Sequence, residues 1–302
     1  MPLTPTPDLV AKGPIPAFNI IQLEHITAIL GGAARAGRPV ILQISENAVR
    51  YHGALAPLAA AALQAADRAA VPAAVHLDHA TDPALVEEAV ELGLQSVMFD
   101  ASALEYEANV RATAEVVAAC HARGVWVEAE LGEVGGKDGV HAPGARTDPD
   151  EAAAYVAATG VDALAVAVGS SHAMRTRDAA LDFALIRRLR AALDVPLVLH
   201  GSSGVSDEDL AEAVTAGMTK INMSTHLNIR FTRAVREALD ARPDLVDPRK
   251  YLAPGREAVA EEVARLTALL SGAPAVDAPA VDAPAVDAPA MDAPAVEGEV
   301  TK

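Results

Sequence analysis

The sequence predicts an α/β fold, a (β/α)8 barrel with an extra C-terminal helix and an extended Ala/Pro/Asp-repeat tail. Three observations carry this. Short apolar runs alternate eight times with longer amphipathic, Ala-rich runs, the pattern of strands followed by covering helices. The alternation fills residues 1–272, close to the usual length of such a barrel. The first apolar run leads into AFNIIQLE, without the Gly-rich turn that an open doubly wound sheet places after its first strand.

Taken in order, the predicted strands are 15–19, 40–44, 73–77, 96–100, 125–130, 163–168, 197–200 and 220–223. The predicted helices are 22–36, 54–70, 83–92, 106–123, 149–159, 183–193, 207–216 and 225–239, with a last one over 256–270. Gly37, Gly93, Gly124, Gly160 and Gly217 follow helical runs, where a left-handed residue ends a helix. Asp82-Pro83 and Asp148-Pro149 pair a capping carboxylate with a first-turn proline. From Ala273 the unit APAVD repeats with a period of five. Proline at each repeat prevents a continuous helix, so 273–302 reads as a disordered acidic tail beside a single barrel domain over 1–272.

Acids outnumber lysine plus arginine by 41 to 24, a net charge of −17. That argues against a nucleic-acid partner, which needs a basic face, but not against one phosphorylated ligand held by local donors. No run approaches about 18 apolar residues, so no membrane partner is expected. The N-terminus lacks a signal-peptide pattern, and the one cysteine, Cys120, fits a reducing compartment; the expected location is cytoplasmic.

In such barrels the chemistry sits at the C-terminal ends of the strands. The predicted ends carry Asn19, Ser45, Asp78 with His79, Asp100, Glu128 with Glu130, the segment Gly169-Ser-Ser-His172, the segment His200-Gly-Ser-Ser-Gly204, and Asn222 to Thr225. His79, His172 and His200 come from three strands but one rim, and three imidazoles with an open fourth position suit a catalytic zinc. Asp78 beside them reads as a general base, or as a carboxylate orienting His79. Gly201 to Ser203 and Asn222 to Thr225 read as phosphate cradles at the last two strand ends. His25, His121 and His226 fall in helices, His52 and His141 in loops and His76 inside strand three, all read as structural. The Gly-rich stretch 131–148 reads as a catalytic loop.

At these residues the chain resembles the class II, metal-dependent ketose-bisphosphate aldolases. AFNIIQLE, VHLDHATD, SVMFDAS, VEAELGEVGG, LVLHGSSGV, KINMST and DPRKYL carry the likeness. The resemblance implies a lyase of carbohydrate metabolism: reversible cleavage of fructose 1,6-bisphosphate to dihydroxyacetone phosphate and glyceraldehyde 3-phosphate through a zinc-stabilised enediolate. Tagatose 1,6-bisphosphate or another ketose phosphate is the close alternative. It assigns zinc to His79, His172 and His200, proton transfer to Asp78, and a place near the metal to Glu130. Asn19 and Ser45 line the triose pocket. Ala173, Gly201, Ser202, Ser203, Asn222, Met223, Ser224 and Thr225 face the substrate. It also implies a monovalent cation (Na+ or K+) near the phosphate, a homodimer or homotetramer, and an arginine for the far phosphate, with Arg230, Arg249 and Arg256 as candidates.

Two positions depart from the family pattern. Ala173 stands where the family has glycine after the second histidine. The loop reads Gly135-Gly136-Lys137-Asp138-Gly139, one residue short, so Asp138 or Glu133 would replace the protonating glutamate. A Schiff-base aldolase needs a lysine at a strand end, whereas Lys220 reads as starting strand eight and pointing away. A metal-dependent amidohydrolase would show His-x-His on strand one, and Ala17-Phe18-Asn19 does not. A phosphosugar-binding barrel without turnover is the non-enzyme alternative.

Overall fold

The computed structural model describes residues 3–131, 146–172 and 174–272. Eight strands close into one all-parallel barrel in chain order: β1 (Ile15–Asn19), β2 (Val40–Ser45), β3 (Ala73–Ala80), β4 (Ser96–Phe99), β5 (Trp126–Leu131), β6 (Ala163–Val166), β7 (Leu197–Leu199) and β8 (Met218–Met223). β1 closes on β8 with Ile15 opposite Lys220 and Ala17 opposite Asn222. The covering helices are α1 (Thr6–Val10), α2 (Leu23–Ala36), α3 (Glu46–His52), α4 (Ala56–Asp67), α5 (Pro83–Glu91), α6 (Tyr106–His121), α7 (Pro149–Thr159), α8 (Phe183–Ala192), α9 (Asp207–Ala216), α10 (Thr225–Ala241) and α11 (Pro248–Leu270). All five glycines expected after helices have positive φ. Asp82 and Asp148 cap α5 and α7 with their side chains. The tail 273–302 lies outside the described residues.

The differences from expectation have local causes. The strand predicted over 220–223 begins at Met218, so Lys220 lies within it. α1 is too short to show helical periodicity. α3 is a separate short helix capped by the Ser45 hydroxyl, so His52 ends a helix instead of sitting in a loop. α11 starts at Pro248, capped by Asp247, and runs through Pro254-Gly255. That dipeptide reads as a breaker, but Gly255 is where α10 crosses: a Cβ there would meet the Phe231 ring at 2.9 Å.

Strand residues alternate between two cores. The outward set, among them Phe18, Leu42, Leu77, Val127, Leu199 and Met223, packs under the helices. The inward set is apolar low in the barrel, where Ile15, Ala17, Ile41 and Ala74 meet Leu9 and Val10 of α1, the bottom plug. Burying each of the larger side chains contributes about 1.5–3 kcal/mol. Above them the interior turns polar: Gln43, His76, Ser96, Glu128 and Lys220 are all fully buried.

α11 folds back against α2, and Gly32 is the contact point. A Cβ there would fall 2.4 Å from the Ala260 carbonyl oxygen and 2.7 Å from Val263 Cβ, whereas Gly31 faces open space. Gly32→Ala is therefore expected to cost about 1–3 kcal/mol, and Gly31→Ala to stabilise by up to about 1 kcal/mol through helix propensity. Denaturant unfolding of the two variants checks this opposite sign.

Buried Glu262 on α11 accepts from His226 (2.7 Å) and Arg230 (3.0 Å) of α10 and from Arg265 (2.7 Å). Burial opposes its charge, but His226 and the two arginines hold its carboxyl well below the usual range. A depressed folded pKa gives stability that is present above the unfolded carboxylate value and lost as pH falls through the folded one. Glu262→Gln should cost about 2 kcal/mol near neutral pH. Melting curves should show that deficit shrinking as pH falls below about 4.3, the unfolded glutamate value.

Candidate active site

Eight strand ends meet at one rim, and a local defect aims the central residues. β3 and β4 pair as Leu77 with Val97 and then Ala80 with Phe99, so β3 carries one extra residue, a bulge. His79, inside it, has φ +50°, the one positive φ outside glycine among the described residues. Regular alternation would send Asp78 and His79 to opposite faces. The bulge and left-handed turn bring both to the rim, and strained backbone of this kind clusters at functional sites.

His79, Glu130, His172 and His200 each offer one donor atom, all within 4.8 Å of one another. The three imidazole centroids lie 4.6, 5.0 and 5.6 Å apart. Two rings are oriented from outside the cluster. His79 Nδ1 donates to Asp100 Oδ2 at 2.8 Å, leaving Nε2 for the cluster. His200 Nε2 donates to Glu128 Oε1 at 3.0 Å, so its Nδ1 faces Glu130 Oε2 at 3.1 Å. Carboxylates that fix the far nitrogen of an imidazole are the usual support of a metal-binding histidine. Three imidazoles, two of them with the far nitrogen held by a carboxylate, together with Glu130 fit a divalent transition metal.

The electrostatics agree. Burial lowers His200, but Glu128 and Glu130 overcome it and lift its pKa to about 9. Such an excess of negative charge is what a cation would neutralise. Burial raises Asp78, but the charges of His79, Lys220 and His200 outweigh it and bring its pKa down to about 2. Asp78 Oδ2 accepts from Asn19 Nδ2 at 2.8 Å, while buried Oδ1 makes no hydrogen bond.

Most of the predicted rim assembles. Asn19 reaches Asp78, and its own Oδ1 accepts from Gln43 Nε2 at 3.3 Å. Ser45 accepts from Ala48 N as the α3 cap. Ser202 donates to the Leu199 carbonyl. Ser203 Oγ accepts from Ser224 N and His226 N, tying the end of β7 to the start of α10, where Thr225 is the first residue. Gly201 has φ +66°, and a Cβ there would lie 2.6 Å from the Ser171 backbone.

Three expectations change. Met223 points into the outer core, so only its backbone can face a ligand. Lys220, expected to point away, is fully buried inside the barrel, with Nζ 2.8 Å from Glu128 Oε2. Arg230 is committed to Glu262 and exposed Arg249 to Asp247. Ala173, Glu133 and Asp138 lie outside the described residues, as does most of the predicted loop. Gln43 is a site residue that the strand-end pattern misses; its signal is one amide in the apolar run VILQIS.

The fold and the rim define a (β/α)8 barrel whose strand ends gather three histidines and a glutamate that could hold a metal ion. Comparison with known proteins narrows this. Residues 11–273 match the family described as "Fructose-bisphosphate aldolase class-II". The chain is 42% identical over 259 residues to the fructose-bisphosphate aldolase of Geobacillus stearothermophilus, covering 84% of this chain and 90% of that one. It is 41% identical over 250 residues to that of Staphylococcus epidermidis, covering 82% and 87%. Among solved structures, the YdjI aldolase from Escherichia coli K12 superposes with a TM-score of 0.75 at 33% identity, covering 89% and 97%. The chain belongs to the class II fructose-bisphosphate aldolase family. It is a metal-dependent lyase. Among the described residues no helix is long and apolar enough to cross a membrane.

Gly201→Ala is expected to destabilise by about 2–3 kcal/mol, a left-handed penalty added to a backbone clash. A fall in Tm of several degrees, with loss of activity, is the outcome to look for.

Proposed function

We propose that the chain catalyses the reversible aldol cleavage of fructose 1,6-bisphosphate to dihydroxyacetone phosphate and glyceraldehyde 3-phosphate, with zinc as its metal. The observation that carries this is the general-base geometry: the free Oδ1 of a buried, ionised Asp78 stands beside the cluster of three histidines and Glu130. His79, His172 and His200 would hold the zinc, with Glu130 beside them. When bound, the metal supplies Lewis acidity toward the ketone oxygen, where negative charge develops.

The chain's own groups do the rest. In the cleavage direction Asp78 Oδ1 accepts the proton of the C4 hydroxyl as the C3–C4 bond breaks, and returns it in condensation. Asn19, held by Gln43, keeps Oδ2 occupied and so directs Oδ1 to the substrate. The proton that completes dihydroxyacetone phosphate at C3 is assigned to Asp138, with Glu133 as the alternative. The phosphate of that product is assigned to the backbone around Gly201–Ser203 and Asn222–Thr225, where the N-terminus of α10 favours an anion. A monovalent cation near this phosphate, a homodimer or homotetramer, and a cytoplasmic location complete the reading. The net charge of −17 argues against a nucleic-acid partner and is compatible with one small phosphosugar held by local donors.

A coupled assay of fructose 1,6-bisphosphate cleavage, run after chelation and again after zinc is restored, tests this. Activity should vanish and return. Asp78→Asn should keep zinc and lower kcat by about 10²–10⁴-fold. Cleavage indifferent to chelation would sink the zinc assignment.

A further inference from the structure

Beneath the rim lies a charged assembly that the reaction scheme does not use. Lys220 is fully buried, and its ammonium makes two contacts. One is to Glu128 Oε2 at 2.8 Å. The other is a hydrogen bond to Asn222 Oδ1 at 2.9 Å. Glu128, also fully buried, uses its other oxygen to accept from His200 Nε2. Lys220 and Asn222 sit two apart on β8 and so share the inward face.

A buried charge without a partner costs several kcal/mol. Glu128 has three neighbours that could balance it. His76 Nε2 is 3.8 Å away, but burial and the Lys220 charge bring its pKa down to about 3, so it is neutral. It is also held by Ser96, whose hydroxyl reaches Thr6 of the bottom plug. His200 must leave Nδ1 unprotonated if it is to bind a metal. Lys220 is the remaining cation on Glu128.

We infer that Lys220 is a positioning residue serving both halves of the site: through Glu128 it fixes the His200 ring with Nδ1 toward the metal, and through Asn222 Oδ1 it turns that amide so that Nδ2 faces the substrate. The two ends of an amide are nearly alike in size and shape, so only hydrogen bonding tells them apart, and an ammonium only donates. Contact with Lys220 therefore sets Asn222 with its acceptor inward and its donor free. One side chain couples the orientation of a metal ligand to that of a ligand-facing amide. This rests on the reading of His200 as a metal ligand.

The test is Lys220→Met, which keeps length and removes the charge, with zinc affinity measured by competition against a chromophoric chelator. The expected results are a zinc affinity weaker by roughly 10–100-fold and, at saturating zinc, a KM raised about tenfold from the lost orientation of Asn222. If the single variant does not fold, Lys220→Met with Glu128→Gln removes both charges together and should show the same two shifts. A purely structural lysine would lower Tm and leave both quantities at parent values; that result in a folded variant overturns the inference. A parent protein that holds no zinc overturns the reading of the site and this inference with it.

Discussion

Closure of the sheet is the constraint on which everything else depends. Once β8 hydrogen-bonds to β1, Ile15 against Lys220 and Ala17 against Asn222, no strand edge is left and all eight C-terminal ends must share one rim. Closure also creates an interior that every second side chain has to enter. α1 and the Ile15, Ile41 and Ala74 layer fill its lower end with hydrocarbon. The upper end is filled with charge, and that charge has to be balanced within the barrel because water is not there to do it.

That balance explains the composition of the interior. Glu128, Glu130, His200 and Lys220 would each be costly alone. Together they form a connected set in which each contact joins opposite signs or a donor to an acceptor. His79, Glu130, His172 and His200 lie close enough to hold a metal ion, and a divalent cation there would offset the surrounding carboxylates. Support reaches outward as well: Asp100 steadies His79, Gln43 and Asn19 steady Asp78, and Ser203 ties β7 to α10.

Precision at the rim depends on small irregularities. The β3 bulge with left-handed His79 places adjacent residues on one side. Gly201 allows the β7 loop to touch Ser171. Farther out, Gly32 and Gly255 let α11 press on α2 and α10, and Glu262 clamps the last helix to the one that follows β8. The long C-terminal helix thus buttresses the β8 side of the rim.

Local sequence determined the elements and the rim. Apolar alternation, Asp-Pro starts and glycine stops mark the strands and helices because each is a short-range preference of the backbone. The three histidines and Asp78 were legible because a barrel turns every strand end into a site position. Tertiary structure alone decided what those signals could not hold. Lys220 reads as starting strand eight and pointing away from the site until β8 is seen to start at Met218, with Lys220 buried inside the barrel. The last helix, expected over 256–270, starts at Pro248, and Gly255 within it lies against Phe231. Met223 matches a ligand-facing motif, yet strand parity turns its side chain into the outer core. Which carboxylate orients which imidazole depends on contacts between residues far apart in the chain, such as Glu128 with His200. The sequence names the ionisable groups; only the closed barrel sets their distances, and distance in a dry interior decides their charge and their work.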